Sequence, residues 1–222
     1  MKNEVNNSLV IMRSTLNRLP LYYSYITKLK DEGVTNVSAT EIAKNLNLNP
    51  VLVRKDLASV SSVAGKPRLG FHIGILLKDM EEYLGYNSKD EAVLVGVGSL
   101  GRLLLTNKGF KRLGIDIVAG FDKDESLYHE QINGKYIFPM EKLPILIKRL
   151  GVKIGIIAVP EDQAQQVCDL MVESGILAIW NFPFTLLNVP EGILVKNENL
   201  ASSLAALSHQ LAKRQKSKVS KI

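Results

Sequence analysis

The sequence predicts an α/β protein of two units: an N-terminal winged helix-turn-helix domain, then a Rossmann-type dinucleotide-binding domain that ends in a further helix. Three observations predict it. Two capped helices joined by a tight turn carry basic residues near the start of the chain, a Gly96-x-Gly98-x-x-Gly101 turn links a buried strand to a helix, and strands then alternate with helices.

Taken in order, the first helix is expected over "LPLYYSYITKLKDEG", where Pro20 suits a first turn and Gly33 a stop. Ser38 and Glu41, three apart, form a capping box that opens a second helix from about Ala39 to Leu46. Asn49 then caps, and Pro50 begins, a third helix, "PVLVRKDLA". Val51, Leu52 and Leu57 are expected to face the core of this unit. Arg54 and Lys55 project outward, as a helix entering a DNA major groove requires. In "SSVAGKPRLGFHI", Gly65 and Gly70 permit a hairpin whose tip presents Lys66 and Arg68 to phosphates or to the minor groove. An amphipathic helix follows, and the joint between units is placed at Tyr86 to Asp90. The DNA-binding unit is thus 1–86, with Asn49, Arg54, Lys55, Lys66 and Arg68 as its candidate contacts.

The second unit, 87–198, opens with "EAVLVGVGSLGRLLL". Gly96 allows the tight turn, Gly98 lets a pyrophosphate approach the backbone, and Gly101 lets the helix pack on the strand. The phosphates would meet the positive end of that helix. A second strand, "IDIVAGFD", ends in Asp122, placed to accept hydrogen bonds from an adenosine ribose and to repel a 2′-phosphate, so NAD(H) is the expected ligand. The pattern continues through "KYIFP", "MEKLPILIKRLG", "KIGIIAVP", "EDQAQQVCDLMVESG", "LAIWN" and "GILVKN", which reads as a parallel sheet covered on both faces. Residues 199–212 form a last helix with Leu200, Leu204, Leu207 and Leu211 on one stripe; it packs on its own sheet or on a second copy. The tail 213–222, with five basic residues and no acidic one, reads as a solvated disordered segment or a non-specific phosphate contact.

Composition narrows the function. The net charge is +6, and its excess lies in the first 86 residues and the tail, which points to a polyanionic partner. No run of 18 apolar residues and no secretory layout is present, so a cytoplasmic location is expected. Cys168, the single cysteine, lies among apolar residues at helical spacing and reads as a small buried hydrophobe. No Cys or His pair has metal-ligand spacing, and no metal is expected. His72, His129 and His209 form no constellation with a carboxylate, and the second unit leaves no room for a substrate domain, which argues against the rival class, an NAD-dependent dehydrogenase.

The order and spacing of "RLPLYY" at 18–23, "VRKDL" at 53–57, "GKPRLGF" at 65–71, "GVGSLGRLLL" at 96–105, "GFD" at 120–122, "AVP" at 158–160 and "NFPFTLLNVP" at 181–190 resemble the Rex family of redox-sensing transcriptional repressors. The resemblance implies a homodimer that binds an inverted-repeat operator when NADH is scarce, with the last helix swapped between the partner's domains. It implies dinucleotide contacts at Gly96, Val97, Gly98, Ser99, Leu100, Gly101, Asp122, Lys123, Val159 and Pro160. The chain also departs from the pattern. "RKDLASVSSVAG" replaces an aromatic-glycine pair, and three switch or interface positions that the family fills with arginine, tyrosine and aspartate hold Ser24, Asn107 and Asn199. Loss of a switchable ion pair predicts a weaker NADH response, leaving a DNA-binding paralogue with a reduced or lost response as the alternative.

Overall fold

The computed structural model describes the backbone of residues 2–128 and 130–219. The chain divides into two compact units, residues 1–88 and 89–222. His129 lies outside the described residues.

The first unit comprises α1 (Lys2–Asp31), β1 (Asn36–Val37), α2 (Ala39–Leu46), α3 (Pro50–Val60), β2 (Phe71–His72) and α4 (Ile73–Leu84). Local chemistry sets most of these limits. The Ser38 hydroxyl accepts from the Glu41 N–H at 3.0 Å and starts α2; left-handed Asn47 ends it. Asn49 Oδ1 accepts from the N–H groups of Val51 and Leu52, and Pro50 occupies the first turn of α3. β1 and β2 pair antiparallel, Asn36 opposite His72 and Val37 opposite Phe71. Leu19, Tyr22, Ile26, Ile42, Val53, Leu57, Leu76 and Met80 are fully buried at the centre.

Two expectations need correction. α1 does not begin at Leu19 but runs through Pro20, which lies in its interior. An internal proline forfeits one hydrogen bond and costs about 3 kcal/mol. Upstream residues offset this cost, because Thr15 and Arg18 reach a buried carboxylate on α3 only if the helix is already formed there. The inward face of α3 is also rotated from the expected one: Val51 is 58% exposed, whereas Val53 and Asp56 are buried beside Leu57.

The second unit comprises β3 (Asp90–Val95), α5 (Ser99–Thr106), α6 (Gly109–Arg112), β4 (Ile115–Asp122), β5 (Gln131–Ile132), β6 (Lys135–Pro139), α7 (Leu143–Leu150), β7 (Ile154–Ile157), α8 (Glu161–Ser174), β8 (Ala178–Asn181), β9 (Leu194–Asn197) and α9 (Leu200–Val219). Its seven strands lie in the order β5-β6-β4-β3-β7-β8-β9, all neighbours parallel except β5 and β6. Two apolar clusters flank the sheet, one centred on Phe121, Leu143, Cys168 and Met171, the other on Leu94, Leu105, Ile117 and Ile137. After β3 the chain adds β4 and β6 on one side and then returns to add β7, β8 and β9 on the other, so the strand order reverses between the parallel neighbours β3 and β7, and a crevice opens at their carboxyl ends.

The last helix is longer than expected. α9 continues to Val219, past the limit at residue 212, so the segment from 213 is helical rather than a disordered tail as far as it is described. Residues 220–222 lie outside the described residues. Leu204, Leu207 and Leu211 are 57–67% exposed, so these leucines are not packed on the sheet of their own chain.

Candidate functional site

The glycine turn builds one site. Gly96 adopts φ +97°, and a Cβ there would lie 2.5 Å from the Ala158 carbonyl oxygen. A Cβ on Gly101 would strike the carbonyl oxygen of Gly96. Gly98 differs, since nothing lies within 4 Å of the position its Cβ would take. Two glycines are thus required by the protein itself, and the third leaves open space. Behind Gly98, α5 begins with no side-chain cap, so its first N–H groups face outward unsatisfied by a side chain. A phosphate is the partner that such a helix end takes.

A cleft of about 430 Å³ surrounds this turn, with Gly96, Gly98, Asp122, Lys123, Val159 and Pro160 in its lining. Val97 is buried beneath it, while Ser99, Leu100 and Gly101 form the first turn of α5. The cleft extends over Met140, Gln163, Gln166, Val167 and Leu170, which sequence reading missed. Their signal is position, on α8 and just after β6, at the strand ends where a crevice must form. Asp122 has a further task. Its Oδ2 accepts from the Val97 N–H at 2.6 Å and its Oδ1 from the Asp124 N–H at 3.0 Å, so the carboxylate that faces the cleft also holds the glycine turn. Cys168 is fully buried beneath the sheet, and burial pushes its thiol up to about 11, which leaves it protonated and inert at neutral pH.

The first unit presents a basic surface. Arg54, Lys66 and Arg68 line one concavity of about 660 Å³ between α3, the start of α2 and the hairpin before β2. Lys55 is exposed on α3 beside Arg54. The hairpin closes by reciprocal backbone bonds of 2.8 Å between Lys66 and Gly70, with Arg68 in the left-handed region at φ +65°. Asn49 spends its carbonyl oxygen as the cap of α3.

Behind that surface lies an anchor that sequence reading missed. Asp56 is buried on α3 and accepts four hydrogen bonds from α1: from Arg18 Nε at 2.7 Å and Nη2 at 2.8 Å, from the Tyr22 hydroxyl at 2.9 Å, and from the Thr15 hydroxyl at 3.0 Å. Desolvation pushes its carboxyl up, but the Arg18, Tyr22 and Thr15 bonds outweigh that and hold it below the usual carboxylate range. The Tyr22 hydroxyl is pushed up to about 12 by burial and by Asp56. The available signal was phase, since an acid three residues from Val53 falls on the inward stripe and demands partners.

The three departures occupy separate places. Ser24 is exposed on α1. Asn107 lies at the far end of α5 from the glycine turn, outside the cleft, and its Oδ1 accepts from the Gly109 N–H. Asn199 accepts from the Ser202 N–H at the start of α9. Among the described residues no group of side chains could hold a metal ion, and no helix is long and apolar enough to cross a membrane.

Comparison with known proteins places both units. The family described as "Putative DNA-binding protein N-terminus" matches residues 11–58, and that described as "CoA binding domain" matches residues 87–184. The redox-sensing transcriptional repressor Rex of Bacteroides fragilis is 38% identical over 95% of this chain and 96% of its own. Among solved structures, the Rex-family repressor RSP is similar in its complex with β-NAD⁺ and operator DNA, at TM-score 0.83 and 27% identity over 94% of this chain and 96% of that one. Its complex with β-NADH is similar at the same TM-score and identity, over 92% and 96%. Similarity over nearly the whole length to repressors so named does not favour the alternative of a paralogue with a weakened or lost NADH response, and it excludes the dehydrogenase reading. The chain belongs to the Rex family of redox-sensing transcriptional repressors.

Proposed function

We propose that this protein is a cytoplasmic homodimer that binds an inverted-repeat operator and releases it when NADH accumulates relative to NAD⁺. The observation that carries the ligand assignment is the contrast among the glycines: Gly96 and Gly101 are closed in by backbone, while Gly98 stands open over a cleft at the reversal of the sheet. The pyrophosphate lies against the start of α5, and Asp122 at the rim receives the adenosine ribose and disfavours a 2′-phosphate. Lys123, Val159 and Pro160 complete the contacts from the flanking strand ends. In the other unit Arg54 and Lys55 enter the major groove, and Lys66 and Arg68 hold the backbone beside it. The exposed leucines of α9 are covered by the second copy.

A ligand moves such an equilibrium only through its difference in affinity for the operator-bound and free forms. Ser24, Asn107 and Asn199 leave that difference to neutral hydrogen bonds and packing at those positions. Calorimetric titration tests the ligand assignment: NADH binds saturably, NADPH at least tenfold more weakly, and coenzyme A does not compete. Equal binding of NADPH, or displacement by coenzyme A, contradicts it.

A further inference from the structure

We infer that Asp79 is a positioning residue for DNA binding: from α4 it clamps the joint between α3 and the hairpin, and so fixes where Lys66 and Arg68 reach. The inference rests on the operator-binding reading above. α3 ends at Val60, and the two serines that follow turn the chain into the hairpin. One carboxylate holds the second of them, Ser62, and stands beside the first. The Ser62 N–H donates to Asp79 Oδ2 at 2.7 Å, the Ser62 hydroxyl lies 2.8 and 3.0 Å from its two oxygens, and the Ser61 hydroxyl lies 3.4 Å from Oδ2. Ser61 also donates to the Val63 carbonyl at 2.8 Å, which stiffens the turn.

The rest of the hairpin has little else to hold it. Residues 62–69 are all exposed, and the 2.8 Å bonds between Lys66 and Gly70 lie within the hairpin itself. Its far end is tied by the pairing of Val37 with Phe71 and by the Ile73 N–H on the Thr35 carbonyl. A loop fixed at one end only must be ordered before its two cations can meet the operator, and because ordering even one freed residue costs about tenfold in affinity, as much as two exposed phosphate contacts return, the freed loop forgoes those contacts.

The test uses the full-length protein and an inverted-repeat duplex that the wild type selects from a random-sequence pool, with affinity measured from low to high salt. Asp79→Ala is expected to bind about a hundredfold more weakly, about tenfold for each of the dimer's two hairpins, with a log–log salt slope shallower by about four as both copies of the Lys66 and Arg68 contacts are lost. Adding Lys66→Ala and Arg68→Ala to that variant is expected to cost nothing further. Ser62→Ala keeps the carboxylate and the backbone bond, and is expected to fall between wild type and Asp79→Ala in both readouts. Should Asp79→Ala lose its fold, as read by circular dichroism, Ser62→Ala alone decides. Wild-type affinity and slope in these variants, or a loss that adds to that of Lys66→Ala and Arg68→Ala, overturns the clamp. Failure of the wild type to select any duplex would instead overturn the operator-binding reading itself.

Discussion

Two aspartates, Asp56 and Asp122, each organise the binding element of their unit, and they do it in opposite ways. Asp56 is sealed inside, with four side-chain donors from α1 filling its oxygens, so nothing remains for a ligand and its whole effect is to fix the angle of α3. Asp122 sits at the rim of a cleft and takes two backbone N–H groups, one on each oxygen, leaving lone pairs for a ribose. The DNA-binding unit positions side chains through other side chains. The dinucleotide unit positions backbone through glycine and one carboxylate. Damage at Asp56 should therefore appear as lost stability, and damage at Asp122 or at the open Gly98 as lost ligand with the fold intact.

The largest expected effect is at Asp56. Asp56→Ala leaves Arg18 without its partner and two hydroxyls unsatisfied, and should destabilise the first unit by about 3 kcal/mol, read from urea denaturation. The pH dependence has a definite sign. Because the carboxyl is held below its unfolded value, its contribution is complete above about pH 4 and is lost as pH falls through the folded pKa. Asp56→Asn should flatten that acid limb, and an unchanged limb would remove Asp56 from the account.

Gly98 and Gly101 give the sharpest contrast within the second unit. Gly98→Val adds a side chain in open space at an ordinary φ of −69°, so thermal stability should hold while NADH affinity falls a hundredfold or more, about 2.7 kcal/mol. Gly101→Ala drives a methyl into the Gly96 carbonyl, and should lower the melting temperature as well. Smaller still is Asp122→Ala, expected to weaken NADH by about tenfold, because a ribose acceptor and the bond to Val97 disappear together, and to narrow the preference over NADPH. Full NADH affinity in Gly98→Val or in Asp122→Ala would break the comparison.

What could be read from sequence was what is encoded locally. Ser38 with Glu41, and Asn49 with Pro50, mark the starts of α2 and α3 because caps are made within a few residues. The strand over residues 115–122 is legible because Ile115, Ile117, Ala119 and Phe121 recur at every second position between Gly114 and Asp122, and Gly96 and Gly101 are legible because a tight strand-to-helix turn leaves no room for a side chain at either. Features set by distant partners were not legible. The run of α1 through Pro20 depends on Asp56, some forty residues away, and the choice of Val53 over Val51 as a core residue depends on how α3 is rolled by that same network. Asp79 gave no local sign of binding Ser62, since that partner lies seventeen residues back. The two-residue β5 is defined only by its pairing with β6. Helix continuation beyond residue 212 was hidden by the high charge of that segment, a composition that favours solvation without forbidding a helix.

Occupation of the Gly98 cleft should change the affinity of the Arg54 surface for DNA. The most direct measurement is operator binding at fixed protein concentration across a series of NADH to NAD⁺ ratios, with total dinucleotide saturating throughout. Operator affinity should fall at least tenfold from the NAD⁺ end to the NADH end, a coupling of about 1.4 kcal/mol or more, which Gly98→Val abolishes. Operator affinity that stays constant across the series, while calorimetry shows both dinucleotides bound, would contradict it.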